Sequence, residues 1–135
     1  RQPGAGVNSV GVSTVVVDAE NVRRSVWPNV TRDRLVELCG RIAHEQAHDV
    51  VVVFDGSPVA GEAPAGVRLL GENGRSADDL IVELAATLAP SSSTVATSDR
   101  GLRARLRESG VSIVGGGAVV RELLERARRH RQRAE

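Results

Sequence analysis

The sequence predicts an α/β fold, a three-layer α/β/α sandwich around a mostly parallel sheet of about five strands. Short valine-rich runs alternate along the chain with segments whose apolar residues recur at helical spacing. The valine runs are unbroken rather than interleaved with polar residues, as in strands covered on both faces. Strands joined through helices imply crossover connections, and hence parallel neighbours.

The first strand is Thr14 to Val17, closed by Asp18. Asp33 to Ala47 places Leu35, Leu38, Cys39 and Ile42 three and four apart and reads as an amphipathic helix. Val50 to Phe54 is the second strand, closed by Asp55. A loop rich in Gly, Pro and Ala, expected to be mobile, runs from Gly56 to Gly66, and Val67 to Leu70 is a short third strand. A helix opens near Ala77, buries Leu80, Ile81, Leu84, Ala85 and Leu88, and is ended by Pro90 and the serines that follow. Thr94 to Thr97 is the fourth strand, a short helix carries Leu102 and Leu106, Gly110 breaks it, and Val111 to Val114 is the fifth strand. After Gly115-Gly116-Gly117 a last helix shows Val119, Val120, Leu123, Leu124 and Ala127, with a polar end, Arg126 to Arg133, expected to fray. The expected organisation is a flexible leader over 1–13, one domain over 14–125 and a basic helix end over 126–135.

A length of 135 residues suits one domain, and 41% hydrophobic with 26% charged residues is ordinary for a globular chain. No apolar run approaches the roughly 18 residues of a membrane span, so no membrane partner is expected. The leader lacks the apolar stretch of a secretory signal, and the chain opens on Arg1 rather than Met, as a processed chain or an excised domain does. The single cysteine, Cys39, excludes an intrachain disulfide, reads as a buried structural thiol and fits a reducing cytoplasm. All 18 cations are arginine. Without lysine there is no Walker-A lysine, no Schiff base and no lysine general base. Missing Lys, Met and Tyr beside abundant Ala, Val, Gly and Arg is what a GC-rich genome produces, so arginine position, not number, has to decide.

Asp18, Asp55 and Asp99 each follow a predicted strand and Asp78 opens a predicted helix. A parallel sheet brings all four to the edge formed by its carboxyl ends, where open α/β sheets place their ligands. Carboxylates share a small volume in ionised form only when a cation joins them. Hard oxygen donors select Mg²⁺ or Mn²⁺ over zinc, for which the chain has no Cys/His cluster. Ordinary readings stand beside this one. Asp99 can cap a helix, Ser76 with Asp79 makes a capping box, Asp55-Gly56 can be a turn, and Asp18 can accept backbone N–H groups. Asp49, at the opposite edge, and Asp33, in a first helical turn, fall outside the site. Glu20, Glu72 and Asp79 form a candidate second ring that steers metal-bound waters. His44 and His48 read as an i, i+4 helix pair, solvated or metal-binding, with no third ligand evident. The run Gly115–Gly117 is either a tight connection or a phosphate cradle.

Four ordered motifs carry a family resemblance: Val15-Val16-Val17-Asp18-Ala19-Glu20-Asn21-Val22, Val51-Val52-Val53-Phe54-Asp55-Gly56, Ser76-Ala77-Asp78-Asp79-Leu80-Ile81 and Ala96-Thr97-Ser98-Asp99-Arg100-Gly101. Over roughly Thr14 to Glu125 the chain resembles the YacP-like group of NYN domains in the PIN-like nuclease superfamily. The resemblance implies a Rossmann-like core and an Mg²⁺- or Mn²⁺-dependent endoribonuclease. In it Asp18, Asp55, Asp78 and Asp99 match the acidic ligands. Asn21 matches the asparagine that orients Asp18 or contacts the scissile phosphate, against an ordinary reading as an N-cap. Thr97 or Ser98 matches a hydroxyl that bonds a ligand or a phosphate. Many YacP-like members have Gly-Tyr where this chain has Ala19-Glu20, and Glu20 adds negative charge.

A nuclease needs cations around an acidic pocket. Arg23, Arg24, Arg75 and Arg100 lie within a few residues of the proposed ligands and are candidate phosphate contacts, which would make binding salt-dependent. Trp27 is placed to stack on a base of single-stranded RNA or to pack. The arginines of the last helix could add nonspecific affinity. Two alternatives remain open: a non-catalytic RNA-binding module, and a doubly wound phosphatase using Asp18 as nucleophile. Against the phosphatase stand Glu20 two residues on and the absence of lysine.

Overall fold

The computed structural model describes residues 13–46, 48–58 and 61–134. Residues 1–12 of the expected leader, 47 at the end of the first predicted helix, and 59 and 60 of the Gly56–Gly66 loop lie outside the described residues. Five strands form one sheet in the order β3-β2-β1-β4-β5: β1 Ser13–Asp18, β2 His48–Val53, β3 Val67–Leu70, β4 Ser93–Ala96 and β5 Ser112–Val114. All four pairings are parallel. Between and after the strands come helices α1 Ala19–Arg23, α2 Arg32–Gln46, α3 Ala77–Ala85, α4 Arg100–Leu106 and α5 Gly116–Ala134.

Strand side chains alternate between faces, so each valine run feeds two cores. Val17, Val50 and Val52 join Val22, Leu35, Leu38, Cys39, Val120, Leu123 and Ala127, the inner faces of α1, α2 and α5. Val16, Val51 and Val53 join Ala77, Ile81, Ala85, Leu102 and Leu106, the inner faces of α3 and α4. That arrangement is the three-layer sandwich, and it explains why the strands read as unbroken apolar runs. Truncating a fully buried leucine such as Leu35 to alanine costs roughly 2–5 kcal/mol. Cys39 is buried in the first core, where burial pushes its thiol up to about 12.

Several boundaries differ from the sequence reading. Strand β2 starts at His48, whose ring bonds Ser13 Oγ at 2.5 Å across the β1–β2 pair. His48 is therefore a strand residue, and the His44–His48 helix pair does not exist. Directly after β1 lies the short helix α1, which the sequence reading did not assign because it is too brief to show a period. Helix α3 ends at Ala85, and Leu88 packs on the core from the turn beyond it. The polar end of α5 is helical through Ala134. Ala127 anchors it, with ion pairs from Arg126 to Glu122 at 3.0 Å and to Glu45 of α2 at 3.5 Å.

The chain leaves β1 for β2 on one side and later returns to β4 on the other. The reversal opens a crevice at the carboxyl ends of β1 and β4. Asp18 and Thr97 stand on its two sides.

Candidate active site

The crevice is a cleft of about 330 Å³ lined by Asp18, Glu20, Asn21, Arg24, Ser25, Asp55, Asp78 and Asp99. The four aspartates come from four places in the chain, and a hydrogen bond anchors the carboxylate of three of them. Asp18 ends β1 and is 4% exposed, and its side chain does not cap α1. Its Oδ2 instead accepts a bond from Thr97 Oγ1 at 2.8 Å. Asp55 follows β2, and its Oδ1 accepts from the Ala77 amide at 2.7 Å. That bond ties the end of β2 to the first turn of α3, which carries Asp78. Asp99 caps α4, accepting from the Leu102 amide at 2.8 Å. Gly71 permits the approach of the β2 and β3 loops, since a Cβ there would come within 2.3 Å of the Gly56 carbonyl oxygen.

Electrostatics follow from that crowding. Burial, together with the charges of Asp78, Asp55 and Asp99, pushes Asp18 up to about 6 against the Thr97 bond that lowers it. Burial and the charges of Asp99 and Asp55 also raise Asp78, while Arg105 lowers it. Among the described residues, no arginine forms an ion pair with Asp18, Asp55, Asp78 or Asp99, although every other acid around the cleft has one. The anchoring bonds of Asp18, Asp55 and Asp99 each occupy one oxygen and leave the second free for another partner. This donor set fits a hard divalent cation. Among the described residues, however, no group of three or more His, Cys, Asp or Glu side chains has the spacing to hold an ion directly. The two observations agree if the ion keeps several waters and takes one or two carboxylates directly, as Mg²⁺ does.

The remaining predicted residues divide. Asn21 Oδ1 accepts from the Ser98 amide at 2.7 Å, which ties α1 to the loop carrying Asp99; it is not a helix cap. Ser98 Oγ accepts from the Gly116 amide at 2.8 Å. A Cβ on Gly116 would meet Asn21 Oδ1 at 2.9 Å, so the glycine run is a tight connection rather than a phosphate cradle. Thr97 is fully buried and bonds Asp18, with the Asp99 amide donating to its Oγ1 at 3.1 Å.

Asp79 turns from the cleft to Arg105 at 3.0 Å, and the Ser76 hydroxyl caps its amide. Glu72 pairs with Arg75 at 3.5 Å, and Arg75 also pairs with Glu83. Arg75 is thus held by acids on the protein surface rather than presented to the cleft. Arg23 is likewise held, by Glu20 and the Val30 carbonyl. Arg24 lines the cleft with its side chain 60% exposed, and Arg100 is exposed beside Asp99. Trp27 is 86% exposed, so it does not pack.

Two residues were missed by the sequence reading. Ser25 lines the cleft and donates to the Asn21 carbonyl at 2.6 Å, an i, i+4 bond that recognition of α1 would have suggested. Arg32 reaches Glu20 and lies 5.3 Å from the centre of the Phe54 ring, contacts with no local sequence signal.

The fold and site have counterparts. The structure is similar to the crystal structure of Rae1 (YacP) from Bacillus subtilis, with a TM-score of 0.72 and 23% identity over 90% of this chain and 79% of that one. It is similar to a tryptophan-to-leucine mutant of Rae1 with a TM-score of 0.67 and 25% identity over 89% and 79%. No curated protein matches this sequence. The family model described as the YacP-like NYN domain matches residues 14–135, a span that includes all four cleft aspartates and Asn21 of α1. With its parallel five-stranded sheet and its acidic crevice at the β1–β4 reversal, the chain belongs to the YacP-like NYN domain family.

Proposed function

We propose that the protein is a metal-dependent endoribonuclease that hydrolyses phosphodiester bonds of single-stranded RNA in the acidic cleft. Family membership and the Rae1 likeness support a nuclease-like, RNA-related function. One observation carries the finer reading: the four aspartates lining one cleft have no arginine counter-ion among the described residues, in a chain with 18 arginines. A site of concentrated negative charge repels RNA, so a pure binding module gains nothing from it.

Asp18, Asp55, Asp78 and Asp99 are the residues that would hold Mg²⁺ or Mn²⁺. When bound, the ion supplies acidification of a water and neutralisation of charge on the scissile phosphate. The protein's own groups do the positioning. Thr97 fixes the Asp18 carboxylate, Ala77 fixes that of Asp55, and Asn21 holds the backbone that leads into Asp99. Arg24 faces the substrate phosphate from the rim, Arg100 extends that charge beside Asp99, and Trp27 offers an open ring face to a base.

The test is incubation of labelled RNA with the protein under Mn²⁺, Mg²⁺ or EDTA, alongside Asp18→Asn. Metal-dependent cleavage that the substitution lowers by about a hundredfold or more is expected. Cleavage that continues in EDTA, or at the wild-type rate in Asp18→Asn, rejects the metal-nuclease reading. Tight binding without cleavage under either metal favours an RNA-binding module, and release of inorganic phosphate from small monoesters with RNA intact favours a phosphatase.

A further inference from the structure

On the rim of the cleft the charge logic reverses. The Glu20 side chain is only 9% exposed, and its carboxylate meets three guanidinium groups: Arg23 at 2.9 Å, Arg24 at 3.5 Å and Arg32 at 2.6 Å. Two of these cations follow from α1, and the third opens α2, twelve residues from Glu20. The Oε2 contact to Arg32 lacks an aligned hydrogen bond, so it acts through charge. One carboxylate balances one cation, so the cluster keeps an excess of two positive charges beside four unpaired aspartates.

The three arginines are not equivalent. Arg23 is the least exposed of the three and also donates to the Val30 carbonyl at 3.3 Å, which turns it inward. Arg32 lies against the Phe54 ring and still reaches solvent. Arg24 is the most exposed and lines the cleft itself. Each guanidinium has five donors in a planar fork, and Glu20 occupies only part of it. The rest suits the paired oxygens of a phosphodiester.

We infer that Glu20 is a positioning residue that holds Arg24 and Arg32 side by side as a two-guanidinium clamp for an RNA phosphodiester next to the acidic cleft. This rests on the ribonuclease reading above. Without the carboxylate, the two guanidinium groups drawn to its Oε1 and Oε2 repel, and a long exposed side chain must be ordered by the substrate alone.

The test is the affinity of labelled single-stranded RNA in EDTA, measured over a series of salt concentrations. Arg24→Ala and Arg32→Ala each reduce the slope of log affinity against log salt by about 0.7. Glu20→Gln separates the clamp from a plain field effect by sign. It removes a negative charge, so a field effect tightens RNA binding, whereas loss of positioning weakens it, by about threefold or more. Glu20→Asp keeps the charge, withdraws it by one methylene and weakens binding as well; it decides the matter if Glu20→Gln does not fold. The Glu20 effect vanishes in an Arg24→Ala, Arg32→Ala background. Unchanged slopes in both arginine variants, or unchanged or tighter binding in a folded Glu20 variant, overturn the clamp. If RNA is still cut under Mg²⁺ in that case, the nuclease reading survives it. If the wild-type protein neither binds nor cuts RNA, both fall.

Discussion

Two sets of carboxylates sit in opposite circumstances. Glu20, Glu37, Glu72, Glu83, Glu122 and Glu125 each have an arginine within ion-pair reach. Asp18, Asp55, Asp78 and Asp99 have none among the described residues, and burial together with the neighbouring aspartate charges raises the proton affinity of Asp18 and Asp78. Arginine is abundant, so the difference is one of placement. Glu20, Glu37, Glu122 and Glu125 lie on helices and meet cations three or four residues away, as helix geometry dictates, while Glu72 and Glu83 share Arg75. Acids at strand ends have neighbours set by the sheet, and here those neighbours are other acids. A fold that gathers unpaired carboxylates bears a standing electrostatic cost, which a bound cation removes.

The largest effect expected is on activity. Asp18→Asn lowers the rate of RNA cleavage by about 10²–10³-fold, whereas Asp49→Asn, at the amino edge of the sheet, leaves it unchanged; equal loss from both would erase the contrast between the two edges. Next comes the pH dependence of the metal-free protein. Between 3.8, the ordinary value for aspartate, and about 6, folded Asp18 retains a proton that the unfolded chain has released. Stability therefore falls as pH rises through that window and stays reduced above it, by about 3 kcal/mol at most for this one group. Urea denaturation from pH 4 to 7 reads this directly, and Asp18→Asn flattens the profile.

A smaller loss follows from removing the support of Asp18. Thr97→Val deletes the hydroxyl bonded to a buried carboxylate and lowers stability by about 1–3 kcal/mol. Thr94→Val, in β4 just before Thr97 but with no such partner among the described residues, stays within about 0.5 kcal/mol. Trp27→Ala weakens single-stranded RNA binding by about 1–3 kcal/mol while leaving the melting temperature in place, because the ring is exposed. The smallest effect belongs to Arg75→Ala. Its partners are surface glutamates, so neither the melting temperature nor the salt slope of RNA binding changes measurably.

Residues near one another in sequence were read well where a period or a strand end marked them. The valine runs gave the sheet, and the strand-closing aspartates pointed to a shared edge, since side-chain alternation and parallel crossovers are properties of short segments. Helix α1 escaped because five residues hold little more than one turn. The end of α5 was misjudged because its support comes partly from Glu45, on another helix.

What the amino-acid order alone determined is the layered α/β architecture, the membership of the acidic residues in one edge and the exclusion of lysine chemistry. Tertiary structure decided which polar groups remain available. Arg23 and Arg75 were as close to the site in sequence as Arg24, yet only Arg24 lines the cleft. Glu20 stood two residues from Asp18 and became the centre of an arginine cluster at the cleft wall. Coulomb interactions and hydrogen bonds act over a few ångströms in space, and separations such as the 79 positions between Asp18 and Thr97 collapse to 2.8 Å only when the sheet is assembled.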